Sequence, residues 1–184
     1  MQAVVVYESM FGNTRAIASA VCAGLAEYFD AAVLPVSLAD PATISEADVV
    51  VVGGPTHVHG MSRSSTRQSA AKQAEEAGSG LTLEPDALNA GLRDWLESLH
   101  PSRGHGLAAA FDTRMRGPAL FTGRASTGIN RALRQKGYEL IVKPESFLVT
   151  KANVLVTGEQ DRARAWGAAL AESLALAGDP PSRG

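Results

Sequence analysis

The sequence predicts an α/β protein: a doubly wound, five-stranded parallel sheet in the order 2-1-3-4-5, with helices on both faces. Three observations point to it. Short apolar, β-branched runs alternate with stretches of helical periodicity, the pattern of successive βαβ units. The run Asp48–Gly53, "DVVVVG", has no polar alternation, so both of its faces are covered, as in a parallel sheet between helix layers. Finally, the first strand passes into the first helix through a short polar segment containing glycine, Ser9 to Thr14.

The elements follow in order. Ala3–Tyr7 is a buried strand. Thr14 to Tyr28 carries Ile17, Ala18, Val21 and Leu25 at helical spacing. Ala32–Leu38 reads as the second strand, and Asp40-Pro41 opens a short helix through Glu46. Asp48–Gly53 is the third strand. Ser62 caps a helix to about Ala77, which Gly78-Ser79-Gly80 ends. Asp86–Leu99 reads as an amphipathic helix with Leu88, Leu92, Trp95, Leu96 and Leu99 facing inward. Leu107–Phe111 is the fourth strand. Ser126–Lys136 is a helix capped by its serine. Ser146–Val149 and Val154–Leu155 form the last strand region, and Arg162–Ala177 is an alanine-rich helix with Trp166 and Leu170 on one side. The expected organisation is one domain over residues 1–177 with an insert near 61–84, and a disordered tail at 178–184. An insert of that length is unusual in a compact domain, and it reads as a solvated spacer or a lid.

Composition narrows the function classes. Hydrophobic residues make up 45% of the 184 and charged residues 20%, with a net charge of −2. That balance gives no case for nucleic acid or a membrane surface. No apolar run reaches the roughly 20 residues of a membrane span. Cys22 is the only cysteine, so no intrachain disulfide forms, and its helical position predicts a small buried thiol. No signal-peptide pattern precedes the first strand, and a cytoplasmic location is expected.

The segment Ser9-Met10-Phe11-Gly12-Asn13-Thr14 carries the chemistry. In an open parallel sheet, ligands bind beyond the carboxyl ends of the strands, where the strand order reverses. This loop lies there and ends at a helix N-terminus, which favours an anion. Gly12 permits close backbone approach, while Ser9, Asn13 and Thr14 add side-chain donors. The alternative is a plain polar turn capped by Thr14. The patterns G-x-x-x-x-G-K-[ST] and G-x-G-x-x-G are both absent, which argues against a nucleoside triphosphate or a dinucleotide.

Two further segments leave the same end of the sheet: "GGPTHVHGMSR" at 53–63 and "FDTRMRGPALFTGRAS" at 111–126. With these, the chain resembles the flavodoxin family. Tyr7-Glu8-Ser9-Met10-Phe11-Gly12-Asn13-Thr14 is similar to its phosphate-loop pattern, an aromatic residue followed by Ser or Thr, then Gly and Thr. "VVVVGGPTHVHG" resembles the segment on the inner side of the flavin, and "ESFLVTKANVLVTGEQDRARAWGAAL" the last strand and helix. The resemblance implies non-covalently bound FMN. It places the phosphate on Ser9, Met10, Phe11, Gly12, Asn13 and Thr14. It places the ring between Pro55, Thr56, His57, Val58, His59 and Gly60 on one side and Asp112, Thr113 and Arg114 on the other. Gly60 falls where the family has a flexible glycine; a simple turn glycine is the alternative.

There are departures. Neither ring-side segment offers Trp or Tyr. Phe121 is the only aromatic well placed to leave the core, and a stacking partner could instead come from the 62–77 segment or another subunit. His57 and His59 alone make an incomplete metal pair. Arg63, Arg67, Arg114, Arg116 and Arg124 cluster in the ring-side segments, where they read as a basic rim or as solvated surface charge. Three functions stay open. The favoured one is an electron carrier that docks to a redox protein. The second is an FMN-dependent oxidoreductase linking NAD(P)H or a quinone to an anionic substrate, as in flavodoxin-like protoporphyrinogen dehydrogenases. The third is a flavin-free binding module. A homo-oligomer is compatible with the insert.

Overall fold

In the computed structural model, which describes residues 1–101 and 106–178, strands and helices alternate along the chain. The elements are β1 (Gln2–Tyr7), α1 (Asn13–Leu25), β2 (Asp30–Pro35), α2 (Pro41–Ile44), β3 (Val49–His57), β4 (Gly60–Met61) and α3 (Ser64–Glu75). They continue with α4 (Leu92–Ser98), β5 (Leu107–Met115), α5 (Ala119–Thr122), α6 (Ala125–Gln135), β6 (Glu139–Leu140), β7 (Glu145–Val149) and α7 (Glu159–Gly178).

The sheet runs β2-β1-β3-β5-β6, with β7 continuing beside β5. Its main ladders are all parallel. The predicted order 2-1-3-4-5 is therefore present, with the fifth position divided. β6 pairs with β5 at Leu107 and Ala108, and β7 pairs with it from Phe111 to Met115. Pro144 lies in the gap, where it has no N–H to give a ladder.

Period-two alternation sends the strand side chains to opposite faces. Val6, Val50, Val52, Ala108 and Ala110 pack with Leu92, Trp95, Leu96, Leu99, Ile129 and Leu133 from α4 and α6. Ala3, Val5, Val49, Val51, Ala109 and Phe111 pack on the other face with α1 and α7. Val49 to Val52 are each 0% exposed, which is why that run shows no polar alternation. Phe111, Phe147 and Trp166 meet edge to face at centroid distances of 6.0–6.3 Å. Cys22 is buried, and burial pushes its thiol pKa up, as an inert core cysteine requires.

Several boundaries differ from expectation. β3 and β5 run on past Gly53 and Phe111, because their ladder continues through Gly54↔Asp112 and Pro55↔Thr113. Asp86–Leu99 is not one helix. Only Leu92–Ser98 is helical, and Leu88 is exposed rather than inward. The helix starts at Leu92 because Oε2 of buried Glu8 accepts the Leu92 N–H at 2.6 Å. Ser62 does not cap α3. Arg63 holds that position, and its N–H donates to Thr66 Oγ1. Ser126 lies inside α6, and the carboxylate of Asp112 takes the capping role assigned to it. Residue 178 ends α7, and the rest of the expected tail lies outside the described residues. Among the described residues, no helix is long and apolar enough to cross a membrane.

Candidate functional site

The carboxyl ends of β1, β3, β5 and β7 open into a cleft with a volume of ≈ 380 Å³. Ser9, Met10, Phe11, Asn13 and Thr14 line it on the side of the first loop. Pro55, Thr56 and His57 line a second side, and Thr113, Arg114 and Met115 a third.

The first loop ends at an uncapped helix start. Gly12 is the residue before α1, with φ 89° and ψ −19°, and no side chain caps the helix. The first N–H groups of α1 have no intrahelical acceptor by geometry, and they point towards the loop. Ser9 Oγ accepts the Gly12 N–H at 3.1 Å, which holds the turn and leaves the hydroxyl proton available. Thr14 Oγ1 lies 2.8 Å from Thr113 Oγ1 and ties this loop to β5. Met10 is buried against Ala70, Ala87, Phe11 and Leu83, so it roots the loop in the insert. These donors, an uncapped helix end and a left-handed backbone that favours glycine are the chemistry that suits a phosphate monoester.

The structure reassigns several predicted residues. Asn13 spends its side-chain amide on Asn153, donating to the backbone carbonyl at 2.8 Å and to Oδ1 at 3.1 Å. Gly12, Val58, His59, Gly60 and Asp112 do not line the cleft. Val58 and His59 form the two-residue turn of the β3–β4 hairpin, with φ of 44° and 71°. The unusual backbone is therefore at Val58 and His59, and the expected flexible glycine, Gly60, sits in β4 without positive φ. Asp112 is fully buried and points to α6, where it accepts the Ser126 N–H at 2.8 Å.

The arginines do not form one rim. Arg67 is buried, donates to Ser62 Oγ and lies 3.8 Å from Asp94. Arg114 braces the turn after β5 by donating to the Gly117 carbonyl at 2.8 Å and to Thr122 Oγ1 at 3.0 Å. Arg63, Arg116 and Arg124 are exposed.

Sequence reasoning missed a fourth wall: Val149 at the end of β7 and Thr150, Lys151, Ala152 and Asn153 after it. It also missed Gln73, Ser79 and Leu81 of the insert. Their one local signal was the turn-forming Lys-Ala-Asn beyond the last strand. The insert lies against the first loop: the Glu84 N–H donates to the Met10 carbonyl at 2.8 Å, and the Glu84 carboxylate pairs with Arg15 at 3.2 Å. No carboxylate and no thiol lines the cleft among the described residues, and the aromatic in its wall is Phe11.

Two titratable groups near the ends of β3 and β5 have shifted pKa values. Burial lowers the pKa of His57 below its ordinary 6.5, against the opposing pull of Glu8, so the imidazole is neutral at pH 7. Burial raises the Asp112 carboxyl above its ordinary 3.8, against the Ser126 hydrogen bonds and the charge of Arg114. The folded state therefore holds this proton to higher pH than the unfolded chain does. Above pH 3.8 unfolding releases it, and stability from this group falls as pH rises through the folded value. Asp112→Asn keeps an acceptor for Ser126 and removes the titration. Its unfolding free energy should gain on the wild type's as pH rises from 3.8 towards neutrality, read by urea melts at several pH values. A difference that stays constant over that window would contradict the assignment.

The fold and the site define an α/β protein with a cleft at the switch point of its parallel sheet. Residues 5–93 match the flavodoxin family model. The structure superposes on a flavodoxin from the domain Archaea with a TM-score of 0.63 and 20% identity, covering 95% of this chain and 99% of that one. Flavodoxin 2 from Bacillus cereus gives 0.64 and 18%, covering 94% and 99%. The flavodiiron core of Flv1 from Synechocystis sp. PCC6803 gives 0.60 and 15%, covering 95% of this chain and 36% of that one. No curated protein sequence matches the chain. The chain therefore has the flavodoxin-like fold, and its first half resembles the flavodoxin family.

Proposed function

We propose that this protein is an electron carrier that works through FMN held in the cleft at the carboxyl end of the sheet. The observation that carries the cofactor reading is the uncapped start of α1 behind Gly12, open to the cleft beside Ser9 and Thr14. Bound FMN supplies one- and two-electron chemistry. The chain's own residues bind and position it. The α1 N–H groups and the Ser9 and Thr14 hydroxyls take the phosphate. Pro55, Thr56 and His57 lie beside Thr113 and Arg114 of the paired strand and together border the space for the ring. His57, neutral at pH 7, adds no charge there.

Carrier is favoured over oxidoreductase by what lines the cleft. No carboxylate or thiol is placed to move a proton on a bound organic substrate. Outside the cleft, Val58, Leu120 and Phe121 are exposed, and Met115 is exposed at its edge, with Arg63, Arg116 and Arg124 also exposed nearby in sequence. Such a surface suits docking of an acidic redox protein better than enclosure of a small substrate. The oxidoreductase reading keeps one observation in its favour, the cationic lining of Arg114 and Lys151, which would attract an anionic substrate.

The test is a visible absorption spectrum of the purified protein, taken after FMN is added and excess is removed. Retained flavin with perturbed bands and quenched fluorescence is the expected result. Negligible turnover with NADH, NADPH and quinones then supports the carrier. Rapid turnover replaces it with the oxidoreductase. No retained flavin at micromolar protein removes both redox readings in favour of a binding module.

A further inference from the structure

The geometry points to Lys151 as the cation that pairs with the phosphate in the cleft and makes the site select a phosphorylated flavin over its neutral parent. The inference rests on the FMN reading above and adds a residue and a charge to it. The phosphate loop has one cation of its own, Arg15, and it is engaged: its guanidinium pairs with Glu84 at 3.2 Å. That carboxylate is close to the seat, since a Cβ on Gly12 would lie 3.1 Å from Glu84 Oε1. A dianion in the loop thus meets an acid whose charge is offset locally by Arg15 alone. The remaining cations of the cleft wall are Arg114 and Lys151. Arg114 is committed to Gly117 and Thr122. Lys151 makes no ion pair and no side-chain hydrogen bond among the described residues.

Lys151 is also held in place from the phosphate loop itself. It sits on a turn closed by the Asn153 N–H donating to the Thr150 carbonyl at 3.0 Å and the Thr150 N–H donating to the Val154 carbonyl at 2.8 Å. Asn153 takes φ 56°, and its carbonyl and side-chain oxygens both accept from Asn13, the first residue of α1. The turn bearing Lys151 is thereby fastened to the helix end that would bind the phosphate. An ammonium there adds a charge to a seat otherwise made of neutral donors. A carrier built this way retains FMN and rejects riboflavin.

The experiment is fluorescence titration of FMN and of riboflavin into wild type, Lys151→Gln and Lys151→Arg, at low and high salt. Wild type should prefer FMN, and its FMN affinity should fall with salt. Lys151→Gln should weaken FMN about tenfold and flatten the salt dependence. Riboflavin affinity should not change, and Lys151→Arg should retain most of the FMN affinity. If wild type binds FMN and Lys151→Gln matches it at both salt concentrations, the assignment of Lys151 is wrong and the FMN reading stands. If wild type binds no FMN, both fall together.

Discussion

Replacing Gly24 by valine should cost about 3 kcal/mol of stability and lower the melting temperature by about 6–12 °C. The reason is a close crossing of the first and last helices. A Cβ on Gly24 would lie 2.1 Å from the Arg164 carbonyl oxygen and 2.6 Å from the Ala168 nitrogen. A Cβ on Gly167, across the same crossing, would lie 2.3 Å from the Val21 carbonyl oxygen. Every one of these atoms is backbone, so no side chain can rotate away. The helices must move apart, which opens gaps along Ile17, Ala18, Val21 and Leu25 on one side and Ala163, Leu170 and Ala171 on the other. Helix propensity works the other way, because glycine is the poorer helix former, yet it offers only about 1 kcal/mol. The crossing lies away from the cleft, so the variant should still bind ligand at low temperature. A thermal melt settles the point: a variant melting within about 2 °C of wild type would show that the two helices do not approach this closely.

How much of this was legible beforehand depends on how local its cause is. The buried valines of β3 were readable because burial on both faces removes polar alternation from four consecutive residues, Val49 to Val52. The turn into α1 was readable because glycine, hydroxyls and a helix start fall within six residues. The ends of β3 and β5 were not. Gly-Gly-Pro and Asp-Thr-Arg look like loop chemistry, and only pairing between the two strands keeps them extended. The start of α4 depends on Glu8, which lies 84 residues earlier in the chain. Asp112 was placed beside the ring only by the family resemblance, whereas here its side chain turns inward and accepts the Ser126 N–H at the start of α6. The wall bearing Lys151 depends on Asn13 bonding to a residue 140 positions away, and no window of sequence contains that contact. Asn13 itself was read correctly as polar and wrongly as a free donor.

Replacing Gly12 by valine should weaken FMN binding about ten- to thirtyfold while leaving riboflavin binding nearly unchanged. Gly12 sits at φ 89°, in the left-handed region that costs an L-residue about 1–2 kcal/mol and a β-branched residue more. A Cβ there also points at the Glu84 carboxylate, 3.1 Å away. In the free protein the loop can relax, since Gly12 is held by one hydrogen bond to Ser9 Oγ and by its own carbonyl at the start of α1. Binding a phosphate requires the strained form again, because only that form presents the first N–H groups of α1 together with Ser9 and Thr14. The strain is therefore charged to phosphate binding and not to the ring, since the proposed ring space is bordered by Pro55–His57 and Thr113–Met115 on other strands. Comparing FMN with riboflavin isolates the effect, because the two ligands differ only in the phosphate. A fold unchanged by circular dichroism, with the FMN-to-riboflavin affinity ratio collapsing, is the expected pattern. Equal losses for both ligands would move the phosphate away from this loop and return the uncapped end of α1 to solvent.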